Sequence, residues 1–232
     1  MKSVFNWSGG KDSALCLYRV LQEATLPVDR LLTTLGHATQ RVTMHGVRQE
    51  LLLQQAQQLG LPLQQMLMPE DASMEAYNHL MQTTMHQLQN EGITHAVFGD
   101  INLQDLRVYR EQQLAKVGLQ AAFPLWGQPT DVLVREFIKL GFKAVVVSVN
   151  ARLLSGSFAG RLLDEQFLAD LPAGVDPCGE NGEFHTFVFD GPLFQAPVPY
   201  TLGERVLRQY GVSEDEAANY DTGFWFQDLL PV

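Results

Sequence analysis

Cysteine is nearly absent from this chain. Its two cysteines, Cys16 and Cys178, stand far apart with no C-x-x-C pair, which excludes a zinc ribbon and a disulfide framework and points to a reducing, cytoplasmic setting. Cations are few: 16 Lys and Arg against 26 Asp and Glu leave a net charge of -10, too acidic for general nucleic-acid binding, which needs clustered cations for a phosphate footprint. No apolar run approaches the roughly 20 residues of a membrane span. Only Met1, Lys2 and Ser3 precede the first apolar run, so no signal peptide is expected. A G-x-x-x-x-G-K-[ST] loop is also missing. What remains is a chain of 232 residues, 46% hydrophobic, long enough for one α/β core with a small appendage.

The chain is organised around Val4 to Leu15, V-F-N-W-S-G-G-K-D-S-A-L. Apolar Val4, Phe5 and Trp7 lead into Ser8-Gly9-Gly10-Lys11-Asp12-Ser13, and an amphipathic segment follows, giving strand, glycine turn and helix. Adjacent glycines let backbone N–H groups approach an anion, and the helix start adds unpaired donors and a positive dipole end. Lys11 contributes a cation, Ser8 and Ser13 hydroxyls.

Further along, Asp29–Thr34 reads as a buried strand ending at Gly36-His37, where open parallel sheets bind ligands; a solvated loop histidine is the competing reading for His37. Val42 is expected to open a long helix through Leu59. Arg48 falls in its first turn or just before it, against the dipole, which suggests an anionic ligand or an exposed arginine. Strands are expected at Leu63–Met68 and His95–Phe98, the latter ending in Gly99-Asp100. A polar helix over Leu103–Val117 carries Arg107 and Arg110, and Ala144–Val149 is the strongest strand. The alternation predicts a doubly wound parallel sheet over residues 1–150, with a smaller α+β lobe over 151–232. Ser155–Gly160 is a candidate lid. Phe224, Trp225 and Phe226 are candidates for core or for a homodimer surface.

A second expensive stretch is Glu180-Asn181-Gly182-Glu183-Phe184-His185-Thr186. Two acids three apart, a glycine and a histidine at a strand entry do not build a hydrophobic core, although a polar hairpin could. S-G-G-K-D-S resembles the pyrophosphate loop of the N-type ATP pyrophosphatases. Together with G-E-N-G-E-F-H-T, G-D-I after a strand and P-L-W after the next helix, it resembles the diphthine–ammonia ligase family over Ser3 to about Pro192, in particular its short bacterial-type members. In members acting on diphthine the second motif typically runs G-E-G-G-E-[YF]-[EH]-T, where this chain has Asn181 and His185.

The resemblance implies a Rossmann-like, HUP-type fold, ATP and Mg²⁺ as cofactors, and a reaction in which a carboxylate is adenylated and ammonia displaces AMP. Ser8, Gly9, Gly10, Lys11, Asp12 and Ser13 would hold pyrophosphate, with Asp12 beside Mg²⁺. Gly36 and His37 would meet adenine, and Asp100 would stand beside the phosphates. Lys11, Asp12, Glu180 and Glu183 would act in catalysis, and Arg48, Arg107, Arg110, Asn181, Gly182 and His185 would face the second substrate. Free ammonia is the simplest nitrogen source, since Cys16 lies inside the first helix. Alternatives are amidation of a corrinoid or other metabolite carboxylate, RNA sulfuration, which the missing cysteines and basic surface disfavour, and a non-catalytic nucleotide sensor.

Overall fold

A computed structural model describes residues 1–43, 45–69, 73–209 and 223–232, apart from the side chain of Met74. Strand β1 (Ser3–Asn6) buries Val4 and Phe5 together with Ser3, whose hydroxyl donates to Pro27 O, and turns through the glycines into α1 (Lys11–Glu23). α1 buries Ala14, Leu15, Cys16, Leu17 and Val20, more than one helical stripe, because elements of both sheets pack around it. Next come β2 (Val28–Gly36), β3 (Arg41–Val42), α2 (Gln49–Leu59), β4 (Leu63–Met68) and α3 (Met74–Asn90). β5 (His95–Val97), α4 (Gln104–Ala115), β6 (Gln120–Ala122) and α5 (Thr130–Lys139) complete the first half.

β4, β2, β1, β5 and β6 are parallel neighbours in that order. The order reverses between β1 and β5, so ligands are expected in the crevice at their carboxyl ends, where Ser8–Gly10 and Gly99–Asp100 lie. The helix expected from Val42 begins only at Gln49. Val42 instead pairs antiparallel with Leu35, and Arg48 is the residue capping the helix, in extended conformation. β4 covers one edge of β2 through Gly36, so β3 lies on the other edge, beyond the end of β1 and beside the glycine loop.

The strand expected to close the first domain belongs elsewhere. β7 (Lys143–Asn150) stands in a second, antiparallel sheet with β8 (Phe184–Asp190), β9 (Tyr200–Gln209) and β10 (Gly223–Pro231), in the order β8-β7-β10-β9. The change of sheet therefore precedes residue 143 rather than falling near 150. The apolar run of β7 gave no sign of this, because a strand buried on both faces reads alike in a parallel or an antiparallel sheet. β9 was not foreseen: Y-T-L-G-E-R-V-L-R-Q is exposed along most of its length and has no apolar face. α6 (Glu165–Asp170), capped by Asp164 through the Phe167 N–H at 2.8 Å, lies between β7 and β8.

One buried cluster joins the two sheets, running from Phe5, Trp7 and Leu15 to Val145, Phe184, Phe187 and Leu229. A smaller cluster around Val4, Leu88, Phe98 and Leu114 fills the opposite face of the parallel sheet. Trp225 packs against the larger cluster, and a side chain on Gly156 would stand 2.8 Å from its indole. The segment expected to be a lid is thus held down. A short 3-10 turn at Gly156–Phe158 and the bonds Gly160 N–H to Val146 O (2.8 Å) and Val146 N–H to Arg161 O (2.9 Å) fasten it to β7. No helix among the described residues is long and apolar enough to cross a membrane.

Candidate active site

Gly9 has φ +80°, a left-handed conformation that L side chains rarely adopt, so the turn out of β1 needs glycine there. Gly10 is extended and precedes the first turn of α1. The two serines brace the loop from within. The Ser13 hydroxyl donates to Gly10 O (2.8 Å), while Ser8 Oγ accepts from Gly10 N–H (3.3 Å) and donates to Ser13 Oγ (3.2 Å). Lys11 is buried with Nζ 2.7 Å from Asp12 Oδ2. Burial opposes its charge, but Asp12, Cys178 and Glu180 together outweigh that, and its pKa is raised. Asp12 keeps 32% of its side chain exposed, and its Oδ1 has no partner among the described residues. Gly99 fits the end of β5 against this turn: a Cβ there would stand 3.1 Å from the carbonyl carbon and oxygen of Asp12.

The outer edge of the second sheet closes onto the loop. β8 is an edge strand, and its unpaired backbone groups are satisfied by the loop and its neighbours rather than by water. Val188 N–H donates to Gly9 O at 2.9 Å. Gln55, fully buried on α2, accepts from the Trp7 indole N–H (3.0 Å) and donates to Gly9 O (3.0 Å) and Val188 O (2.6 Å). Thr186 Oγ1 accepts the Lys11 N–H at 3.0 Å, and Thr186 O accepts from His45 Nδ1 at 3.3 Å. His45 in turn stacks on His185 with ring centroids 4.6 Å apart. Burial, with Lys11 nearby, lowers the His45 pKa to about 4; burial, His45 and Lys11 lower that of His185 well below its usual value. Both rings are therefore neutral at pH 7.

The loop before β8 is folded by its own acids. Glu183 is buried, and its carboxylate accepts from Asp176 N–H (3.0 Å), Asn181 N–H (2.9 Å) and the Asn181 amide (3.1 Å). Glu183, expected to be catalytic, is thus taken up by its own loop, while Asn181, expected at the substrate, bonds to it from an exposed position. Gly182, at φ +84°, supplies the turn between them. Glu180 instead reaches across to the parallel sheet, where Oε1 accepts from Ile101 N–H (3.1 Å) and Asn102 N–H (3.2 Å). Burial, then the charge of Asp12, raises its pKa to about 6, against those two hydrogen bonds and Lys11. Lys11, Asp12 and Glu180 thus form one electrostatic cluster.

Arg110 lies 2.7 Å from Asp100 and stacks on Phe98, and burial raises the pKa of Asp100. Arg107 lies over Trp126 and Phe123 and pairs with Glu111, beyond the carboxyl end of β6. Arg48 is not turned to a ligand. It pairs with Asp228 of β10 at 2.6 and 3.2 Å, alongside Arg41 at 2.8 Å. Despite burial, those hydrogen bonds and charges lower Asp228 to about 2. Of the two readings of an arginine at a helix start, an anionic ligand or an exposed side chain, neither describes this one: the anion comes from the chain itself. His37 and Ala38, with Leu67 and Pro69, line a cavity of about 300 Å³ at the ends of β2 and β4. Both cysteines are buried and their thiol pKa values raised, Cys178 to about 12.

Gln55, Thr186, Gly99 and His45 escaped the sequence reading as site residues. Thr186 and Gly99 stood inside quoted motifs, but Gln55 reads as one more glutamine on a polar helix face. Among the described residues no three His, Cys, Asp or Glu side chains gather as a metal cage. Asp12 suits the sparser pattern in which Mg²⁺ takes one carboxylate and completes its shell with phosphates and water.

The diphthamide synthase N-terminal domain family matches residues 1–121, and the diphthamide synthase C-terminal domain family matches residues 129–212. Human diphthine–ammonia ligase is 31% identical over 143 residues, 60% of this chain and 52% of that protein. The zebrafish (Danio rerio) diphthine–ammonia ligase is 34% identical over 106 residues, 44% of this chain and 42% of that protein. The chain spans about half the length of these curated relatives. Among solved structures, a predicted tRNA methyltransferase subunit of Methanocaldococcus jannaschii superposes with a TM-score of 0.44 at 19% identity, covering 63% of this chain and 80% of that one.

Proposed function

Since the chain belongs to the diphthamide synthase family, we propose that it is an ATP-dependent ligase that adenylates a carboxylate and joins it to ammonia. The observation that carries this reading is the meeting of the two motifs. Lys11, Asp12 and the glycine turn lie at the switch point of the parallel sheet, and Thr186 of β8 and Glu180 of the loop before it are brought to them.

A carboxylate does not react with ammonia at neutral pH, because oxide is a poor leaving group. In the first step a carboxylate oxygen attacks the α-phosphorus of ATP, the bond to the bridging oxygen breaks, and pyrophosphate stays on the Ser8–Ser13 loop. Lys11, held charged, neutralises the bridging oxygen, and the N–H groups of Asp12 and Ser13 in the first turn of α1 take the others. Asp12, through its free oxygen, would hold a Mg²⁺ ion whose charge screens the phosphates. In the second step ammonia attacks the acyl carbon, AMP departs with its oxygen, and the nitrogen loses a proton. Glu180, with its pKa raised to about 6, is the candidate acceptor of that proton. Glu183 acts through the loop it folds, as a positioning residue. The cavity beside His37 takes adenine, Arg107 borders the carboxylate site, and the lobe built on the second sheet presents the substrate.

The test is release of AMP and pyrophosphate from ATP with Mg²⁺ and ammonium, in the presence of diphthine peptide, corrinoid acids or a pool of metabolite carboxylates. Equal amounts of both products, dependent on one acid, are expected and would name it. ADP and phosphate, or ATP binding without turnover under every condition, would overturn the reaction class.

A further inference from the structure

Helix α1 begins at Lys11 without a side-chain cap from its own Gly10. Its first N–H is answered from 175 residues away by the hydroxyl of Thr186. A hydroxyl that accepts one hydrogen bond still has a proton to donate. Among the described residues Thr186 Oγ1 donates to nothing, although the side chain is only 2% exposed. A buried hydroxyl left with an idle donor costs free energy unless a partner arrives.

Its direction is also fixed. Thr186 pairs with Val146 in the sheet, its carbonyl is held by His45 Nδ1, and a β-branched side chain has few rotamers. The fit is tight: a Cβ on Gly10 would stand 3.2 Å from Thr186 O and 2.9 Å from His45 Cε1. Polarised by the helix N-terminus through Lys11 N–H, the hydroxyl is a stronger donor than one in isolation.

We propose that the Thr186 hydroxyl is a phosphate-binding group of this site, carrying the polarity of the α1 N-terminus onward to an oxygen of pyrophosphate or of the ATP β-phosphate. This rests on the phosphate-loop reading above. The second sheet then supplies part of the anion site, and the loop is incomplete without β8. His45 is a positioning residue that holds the threonine backbone in place.

The experiment is calorimetric titration of the full chain with pyrophosphate, with and without Mg²⁺, on the wild type, Thr186→Val and Thr186→Ser. Thermal melting without ligand accompanies each titration. The expected result is about tenfold weaker binding by the valine variant, which keeps the shape and loses the donor, and binding within about twofold of wild type by the serine variant. Wild-type affinity in Thr186→Val would overturn the proposal. Equal losses in the serine and valine variants would overturn it too, because they would trace the effect to the methyl group. Should the valine variant fail to fold, Thr186→Cys, with its weaker donor, takes its place: severalfold weaker binding supports the proposal and wild-type binding refutes it. If the wild type itself binds no pyrophosphate, the phosphate-loop reading fails, and this inference fails with it.

Discussion

Replacing Gln55 with leucine removes an amide that ties α2 to both the glycine loop and the second sheet. The volume is nearly kept, but the hydrogen bonds to Trp7 Nε1, Gly9 O and Val188 O are lost. Gly9 O still accepts from Val188 N–H, so it is not orphaned. The Trp7 indole N–H and the outward-facing Val188 carbonyl are. Each buried polar group left without a partner costs about 1–3 kcal/mol, so the loss is about 2–6 kcal/mol, a large share of the roughly 5–15 kcal/mol that stabilises a domain. Urea unfolding followed by tryptophan fluorescence would read this as a lower midpoint at unchanged slope. Gln55→Glu should be worse, because a carboxylate offers no N–H to two carbonyls. A leucine variant within about 1 kcal/mol of wild type would refute the claim that this amide fastens the two sheets together.

Acidification should weaken the fold through His45. Its pKa is about 4 when folded and about 6.5 when unfolded, so the unfolded chain binds the extra proton and stability falls as pH drops through that window. Between pH 7 and pH 5 the loss from this residue is about 2 kcal/mol. His45→Gln should flatten the pH dependence of the urea midpoint, and an unchanged slope would place the titration elsewhere. Gly99→Ala puts a methyl group 3.1 Å from the Asp12 carbonyl, which is backbone and cannot rotate aside. We expect a folded protein about 1–3 kcal/mol less stable, with weakened pyrophosphate affinity; wild-type affinity would show that the spacing of β5 and α1 does not matter to the loop.

The sequence by itself determined the parallel sheet and its glycine turn. Those features are local: apolar runs of strand length, glycines where φ turns positive, and helices whose apolar spacing is read over a few turns. It also marked the second motif as too polar for a core, since acids and a histidine are costly to bury without a task. Tertiary structure alone decided what each polar group faces. Arg48 could be read only as facing an anionic ligand or solvent because Asp228, its partner at 2.6 Å, is 180 residues away. Glu183 and Glu180 are chemically alike in sequence, yet one closes its own loop while the other reaches the parallel sheet. The place of β7 in the second sheet was hidden because its continuous apolar run carries no mark of strand direction. Gln55 and Thr186 became parts of the site because an edge strand must pair its free N–H and C=O groups, and here the groups that answer them belong to the phosphate loop and its neighbours.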